Sequence, residues 1–168
     1  MGYTIYTLEC HRGNTGHVLL DVRKAASLLL GISLYICSIQ GFAETVPQVS
    51  LIVIQQIESS GRPDAVGDSG RALGLFQLHK CVIQDYNQAH KSNFHHRDAL
   101  KPEIAKRLAD WYLNKRIPAL LKYFKVQDSV TNRLIAYNAG ITTLVDKRSL
   151  PKVTKQYIVK YKQLGGSL

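Results

Sequence analysis

The chain has 168 residues, 45% of them hydrophobic, and its 22 lysines and arginines outnumber 12 aspartates and glutamates for a formal net charge of +10. That length supports one domain with its own core and not comfortably two. No basic run or zinc-finger spacing accompanies the charge, which sets aside a nucleic-acid partner and leaves anionic polymers and surfaces as its counterpart.

The N-terminal quarter reads as an export signal. Residues 25–39 are apolar and charge-free, preceded by Arg23-Lys24 and followed by Gly41-Phe42-Ala43, with small residues at the −3 and −1 positions. This is the layout of a secretory signal peptide cleaved after Ala43. It predicts a signal over residues 1–43, a mature domain over 44–168 and a periplasmic or secreted protein. The run is shorter than the roughly 20 residues of a membrane span, so only an uncleaved signal would hold the chain at a membrane. Residues 1–21 carry Glu9 and Asp21 and make a poor n-region, whereas a start at Val22 would open a conventional short signal. The first 21 residues are therefore expected to be a gene-calling artefact. Cleavage removes Cys10 and Cys37 and leaves Cys81, which can form no internal disulfide. Leu34-Tyr35-Ile36-Cys37 lacks the small residue that precedes a lipidated cysteine. Cleavage also removes three basic and two acidic residues, leaving 19 against 10 and a net charge of +9.

After a short lead-in, residues 49–57 predict the first helix, with a buried strand as the alternative because the stretch is rich in β-branched side chains. Residues 61–73 contain Gly61, Pro63, Gly67, Gly70 and two aspartates, a composition for turns and a small hairpin. Apolar periodicity returns over residues 76–89 through Leu78, Val82, Ile83 and Tyr86, and residues 91–98 form a polar connection. Pro102 suits the first turn of a helix continuing through Ile104, Leu108, Trp111 and Tyr112. Pro118 is expected to break or kink that helix. Asp128 or Ser129 can cap a helix with Val130, Leu134 and Tyr137 on one face, ending at Gly140. A short segment surrounds Leu144, and Pro151 opens a last helix to Leu164. The predicted fold is mainly α, an α+β layout with one irregular or β excursion directly after the first helix.

Glu58 stands where the apolar helix meets that excursion. A carboxyl group there is half out of water, and burial raises a carboxyl pKa towards the range of a general acid. Protonating a glycosidic oxygen needs a carboxylic acid of this kind; an ordinary solvated helix-end glutamate is the alternative. Asp68, ten positions on, could supply a second carboxylate across a cleft, as two-carboxylate hydrolysis requires. Gly67-Asp68-Ser69-Gly70 equally suits a turn held by the aspartate side chain. Gly74 would let backbone approach a ligand closely. His79, His90, His95 and His96 match no metal-binding spacing, and no signature flanks Cys81, which reads as a small packing residue. No metal or cofactor is expected.

Glu58-Ser59, Gly74-Leu75-Phe76-Gln77 and Ala136-Tyr137-Asn138-Ala139-Gly140 occur in the order seen in soluble lytic transglycosylases, lysozyme-like enzymes that cut the glycan strands of peptidoglycan. Leu150-Pro151-Lys152-Val153-Thr154-Lys155-Gln156-Tyr157-Ile158 resembles that family's closing segment, with Val153 where an acid is usual. The resemblance covers residues 49–164. Residues 65–73 form a loop one residue longer than usual, more similar to the Gly-Asp-x-Gly loop of some phage-associated and invertebrate-type lysozyme relatives. That leaves open which residue replaces the family's supporting loop serine. The resemblance implies a lysozyme-like α+β domain, Glu58 as sole acid and base and a 1,6-anhydro-muramoyl product. Ser69, Gly74, Phe76, Gln77, Tyr137 and Asn138 are its substrate-binding candidates, with the Gln77 amide pointing into the cleft. Its partners would be peptidoglycan strands and an envelope-spanning secretion system, pilus, conjugation apparatus or phage, with the enzyme a monomer. A muramidase using Glu58 and Asp68, and a silent glycan-binding module, are the alternatives.

Overall fold

The computed structural model describes Val46–Leu168; residues 1–45, and with them the expected signal peptide, lie outside the described residues. The first helix, α1, spans Leu51–Ser59. It starts two residues later than the apolar pattern predicts because other elements take the backbone groups ahead of it. Asn114 accepts the Val49 N–H through Oδ1 at 2.8 Å and donates Nδ2 to the Val49 carbonyl at 3.3 Å. The Tyr161 hydroxyl accepts the Ser50 N–H at 2.8 Å. At its far end Ser60 turns left-handed (φ 55°) and the Gly61 N–H closes back onto the Gln55 carbonyl at 3.2 Å, so the helix stops just after Glu58.

The excursion is a small antiparallel sheet of β1 (Val66–Gly67), β2 (Ala72–Leu73) and β3 (Leu78–His79), in that order, with Val66 opposite Leu73 and Leu73 opposite Leu78. A tight 3₁₀ turn, Asp68–Gly70, joins β1 to β2. The apolar stretch over residues 76–89 is therefore two structures, not one helix. Gln77 adopts a left-handed conformation (φ 47°), Leu78–His79 pair in the sheet, and the helix α2 begins only at Lys80 and ends at His90. The period of Leu78, Val82, Ile83 and Tyr86 could not reveal the break, since a strand residue and the helix after it bury into the same core.

The remainder is helical. After a 3₁₀ turn at His96–Leu100 come α3 (Pro102–Trp111), a π-helical turn at Tyr112–Arg116 and α4 (Ile117–Tyr123). The chain runs through Pro118 without stopping. Proline lacks the N–H for the bond four residues back and crowds that carbonyl, and the wide π turn lies immediately ahead of it, where the helical ladder is already interrupted. Ser129, not Asp128, caps α5 (Val130–Ala139), its hydroxyl accepting the Asn132 N–H at 3.1 Å. Asp128 instead holds the buried Arg133 through two bonds of 2.7 Å, and Arg133 also reaches the Pro47 carbonyl at 3.3 Å. The short α6 (Thr142–Val145) and α7 (Lys152–Gln163) complete the chain. α5 is the central element: seven of its ten residues are buried, and it packs against α4, α6 and α7. Ile54, Leu78, Ile83, Leu108, Leu113 and Leu134 meet in one core beneath α1 and the sheet. No described helix is long and apolar enough to cross a membrane.

Candidate active site

Glu58 lies half-buried one residue before the end of α1. The Tyr157 hydroxyl, from the middle of α7, donates to Glu58 Oε1 at 2.8 Å. A phenol placed there can donate to the carboxylate and accept from the carboxylic acid, so it orients the group in both protonation states. Ser59, next along, is buried; its hydroxyl sits 2.9 Å from the Leu75 carbonyl and 3.1 Å from that of Gln55.

Two further bonds complete a ring around the acid. Tyr137 of α5 donates its hydroxyl to the Phe76 carbonyl at 2.6 Å, and Thr154 of α7 donates to Asn138 Oδ1 at 2.7 Å. The path runs from α1 through Ser59 to the Gly-Leu-Phe-Gln turn, through Tyr137 to α5, through Asn138 to α7 and through Tyr157 back to Glu58. The three short motifs and the closing segment thus meet in one place, each tied to the next by a side chain. Burial drives the Tyr137 pKa well above that of an ordinary phenol, and the Glu58 charge and then Tyr112 push it in the same direction. Tyr137 therefore stays protonated and remains a donor.

The structure gives several candidate residues architectural work. Gly74 holds φ 73° and faces the Ala99 carbonyl so closely that a Cβ would overlap it; its close backbone approach is to the protein itself. Phe76 is 1% exposed and its ring belongs to the core, while its carbonyl serves Tyr137. The Gln77 amide, expected in the cleft, donates to the carbonyls of Ala65 at 3.2 Å and Gly74 at 3.0 Å and lies against Gly67, bracing the hairpin. Asn138 is buried against Thr154.

Asp68 and Ser69 occupy the hairpin tip, both left-handed (φ 46° and 55°). Asp68 pairs with Arg71 at 2.6 Å and approaches His79 Nε2 at 3.7 Å. Its carboxylate thus serves an ion pair across the turn, and the backbone bond from Arg71 N–H to the Asp68 carbonyl at 3.1 Å closes that turn. Ser69 is exposed. The His79 pKa lies below its usual value, chiefly because burial penalises the charged ring, with Asp68 opposing the shift and Arg71 and His96 adding to it. His96 bonds the Leu78 carbonyl at 2.8 Å and His90 stacks on Tyr86 at 4.2 Å, so the histidines are spread over separate structural tasks. Among the described residues no group of three or more His, Cys, Asp or Glu is placed to hold a metal ion.

Tyr157 is absent from the candidates read from the sequence. Its signal was the spacing of Thr154 and Tyr157, three residues apart and so on one face of the last helix, pointing to Asn138 and Glu58 respectively.

A mainly α domain carrying one half-buried carboxylate at the end of its first helix, beside a small sheet, is a lysozyme-like glycan-cleaving domain. The family model of the transglycosylase SLT domain matches residues 39–159, and the chain belongs to that family. Membership makes it a transglycosylase-type enzyme acting on peptidoglycan. Comparisons with curated proteins and with solved structures found no match.

Proposed function

We propose that the protein is an exported lytic transglycosylase that cleaves the β-1,4 bond between N-acetylmuramic acid and N-acetylglucosamine and leaves a 1,6-anhydro-muramoyl end. One observation carries this reading: Glu58 is served by a tyrosine hydroxyl, whereas Asp68 is committed to Arg71. A single-carboxylate mechanism fits that division. Glu58 protonates the leaving glycosidic oxygen and the C–O bond breaks. The resulting carboxylate then takes the proton from the sugar's own O6 hydroxyl as O6 bonds to the anomeric carbon. The nucleophile is part of the substrate, so its effective concentration far exceeds that of any competing group in solution, and no second carboxylate has to activate water. Tyr157 keeps the Glu58 carboxyl group oriented while it passes the proton in each direction.

The basic balance and the apolar run over residues 25–39 support action outside the cytoplasm, on an anionic wall, in the service of a secretion, conjugation or pilus apparatus or a phage. Mass spectrometry of the muropeptides released from purified sacculi tests the chemistry. Anhydro ends that vanish with Glu58→Gln are expected. Reducing ends, lost equally in Asp68→Asn, would make the enzyme a muramidase instead. N-terminal sequencing of the exported protein should begin at Glu44, and recovery of residues 25–39 in a membrane fraction would overturn the export reading.

A further inference from the structure

The outer side of α7 carries positive charge and no negative charge. Lys152, Lys155, Lys160 and Lys162 are all exposed, α7 carries no Asp or Glu, and Lys147 and Arg148 precede it. Asp146, the one acid in residues 141–168, pairs with Arg148. Elsewhere four basic side chains are paired with acids, Arg71 with Asp68, Arg116 with Asp85, Lys101 with Asp98 and Arg133 with Asp128, but what sets α7 apart is four exposed lysines on one short helix that has no acid of its own. Among the described residues none of the four α7 lysines joins such a pair.

The position of this face gives it meaning. α7 is the helix that delivers Tyr157 to Glu58. At 3.6 residues per turn, Tyr157 and Tyr161 point inward, while Lys152, Lys155 and Lys162 form an outward stripe about 15 Å long. Lys160 lies on the shoulder between them, three residues from Tyr157, a spacing that puts Cβ atoms about 5–6 Å apart on a helix surface. Positive charge therefore starts one turn of helix from Tyr157 and winds around to the outside. A bilayer is a poor match, because interfacial helices sink Trp, Phe and Leu into the lipid, and the outward apolar residues of α7 are Val153 and Val159.

We infer that the lysine face of α7 binds the free carboxylates of the peptide stems carried by the glycan mesh, so that stem-bearing strands are preferred over stripped ones. This rests on the reading of peptidoglycan as the substrate and defines which form of it is taken. A stem of about five residues reaches roughly 17 Å when extended, far enough for stems of the bound strand or its neighbours to meet this face. Exposed ion pairs are individually weak and screened by salt. They also hold ground state and transition state alike, so their contribution belongs in KM and not in kcat.

The test compares sacculi with intact stems, sacculi stripped of stems by an amidase, and stem-bearing sacculi freed of phosphodiester polymers by acid. Wild type and a Lys152→Gln/Lys155→Gln/Lys160→Gln/Lys162→Gln variant are each measured for turnover and for co-sedimentation. On stem-bearing material the variant should show KM raised roughly 3- to 30-fold with kcat unchanged; on stripped material the two proteins should agree. The wild-type preference should fade in high salt. Equal KM for wild type and variant on stem-bearing glycan, or equal loss on both substrates, would overturn the inference, as would retention that disappears with the phosphodiester polymers. If wild type cuts neither material yet sediments preferentially with intact stems, the cleavage reading fails and the α7 inference stands.

Discussion

Two tyrosines near one glutamate have different duties, and single substitutions can separate them. Tyr157 touches the Glu58 carboxylate itself, and a hydrogen bond to a charged group is worth about 1.5–3 kcal/mol. Tyr157→Phe should therefore lower kcat by roughly 10- to 100-fold with little change in unfolding midpoint. Tyr137 touches a main-chain carbonyl in a buried site. Tyr137→Phe leaves that acceptor unpaired and should cost about 1–3 kcal/mol of stability, measured by urea unfolding, with a smaller effect on turnover per folded molecule. The reverse pattern would assign the roles wrongly. Glu58→Gln preserves shape but removes both proton transfers, so activity should fall by at least roughly 10²–10⁴-fold. Asp68→Asn, losing an exposed pair with Arg71 whose guanidinium is well solvated, should do far less. Muropeptide release by the folded variants decides all of these.

At the scale of elements, the helices were largely legible, whereas the sheet was legible in its place after the first helix but not in its individual strands. α3 and α5 announce themselves through Pro102, Ser129 and a steady apolar period, because a helix buries one stripe that recurs along the chain. The strands are two residues each, too short for alternation to register. The helix start predicted at residue 49 is displaced by Asn114, a contact 65 residues away that no local pattern encodes. The same holds around Glu58: its place at the end of an apolar run was legible, but the bonds of Gln77 to Ala65 and Gly74 and of Asn138 to Thr154 join residues that no local pattern connects.

The sheet also has its own pH dependence. His79 of β3 has a folded pKa below the ordinary 6.5, so the unfolded chain binds a proton more readily than the native one. Stability from this residue is unaffected well above 6.5 and falls as pH drops through it towards the folded value. His79→Gln should flatten that decline in urea midpoints measured between about pH 7.5 and 5. An unchanged slope would show that other groups govern it.

For the whole molecule, the placement of α1 depends on contacts between distant parts of the chain. Val49 meets Asn114, Ser50 meets Tyr161 and Glu58 meets Tyr157, at separations of 65, 111 and 99 residues. α1 is thus pinned at its entrance by the π turn and α7 and at its exit by α7 and the Gly-Leu-Phe-Gln turn. Asn114 is the telling residue because its single amide satisfies both polar groups of Val49 and also reaches Asp110 at 2.9 Å. Asn114→Leu keeps the branched side-chain skeleton but strands a buried N–H and a buried carbonyl, each costing about 1–3 kcal/mol when unpaired. A loss of roughly 2–4 kcal/mol in urea unfolding is expected. The m-value should stay constant, because the same surface is exposed when the variant unfolds. Turnover per folded molecule should remain near wild type, since Tyr157 and the Gly-Leu-Phe-Gln turn still hold the Glu58 end of α1. An unchanged midpoint would mean that Val49 is held by packing alone. A large fall in kcat at full folding would mean that the entrance of α1, and not only its exit, sets the geometry of the acid.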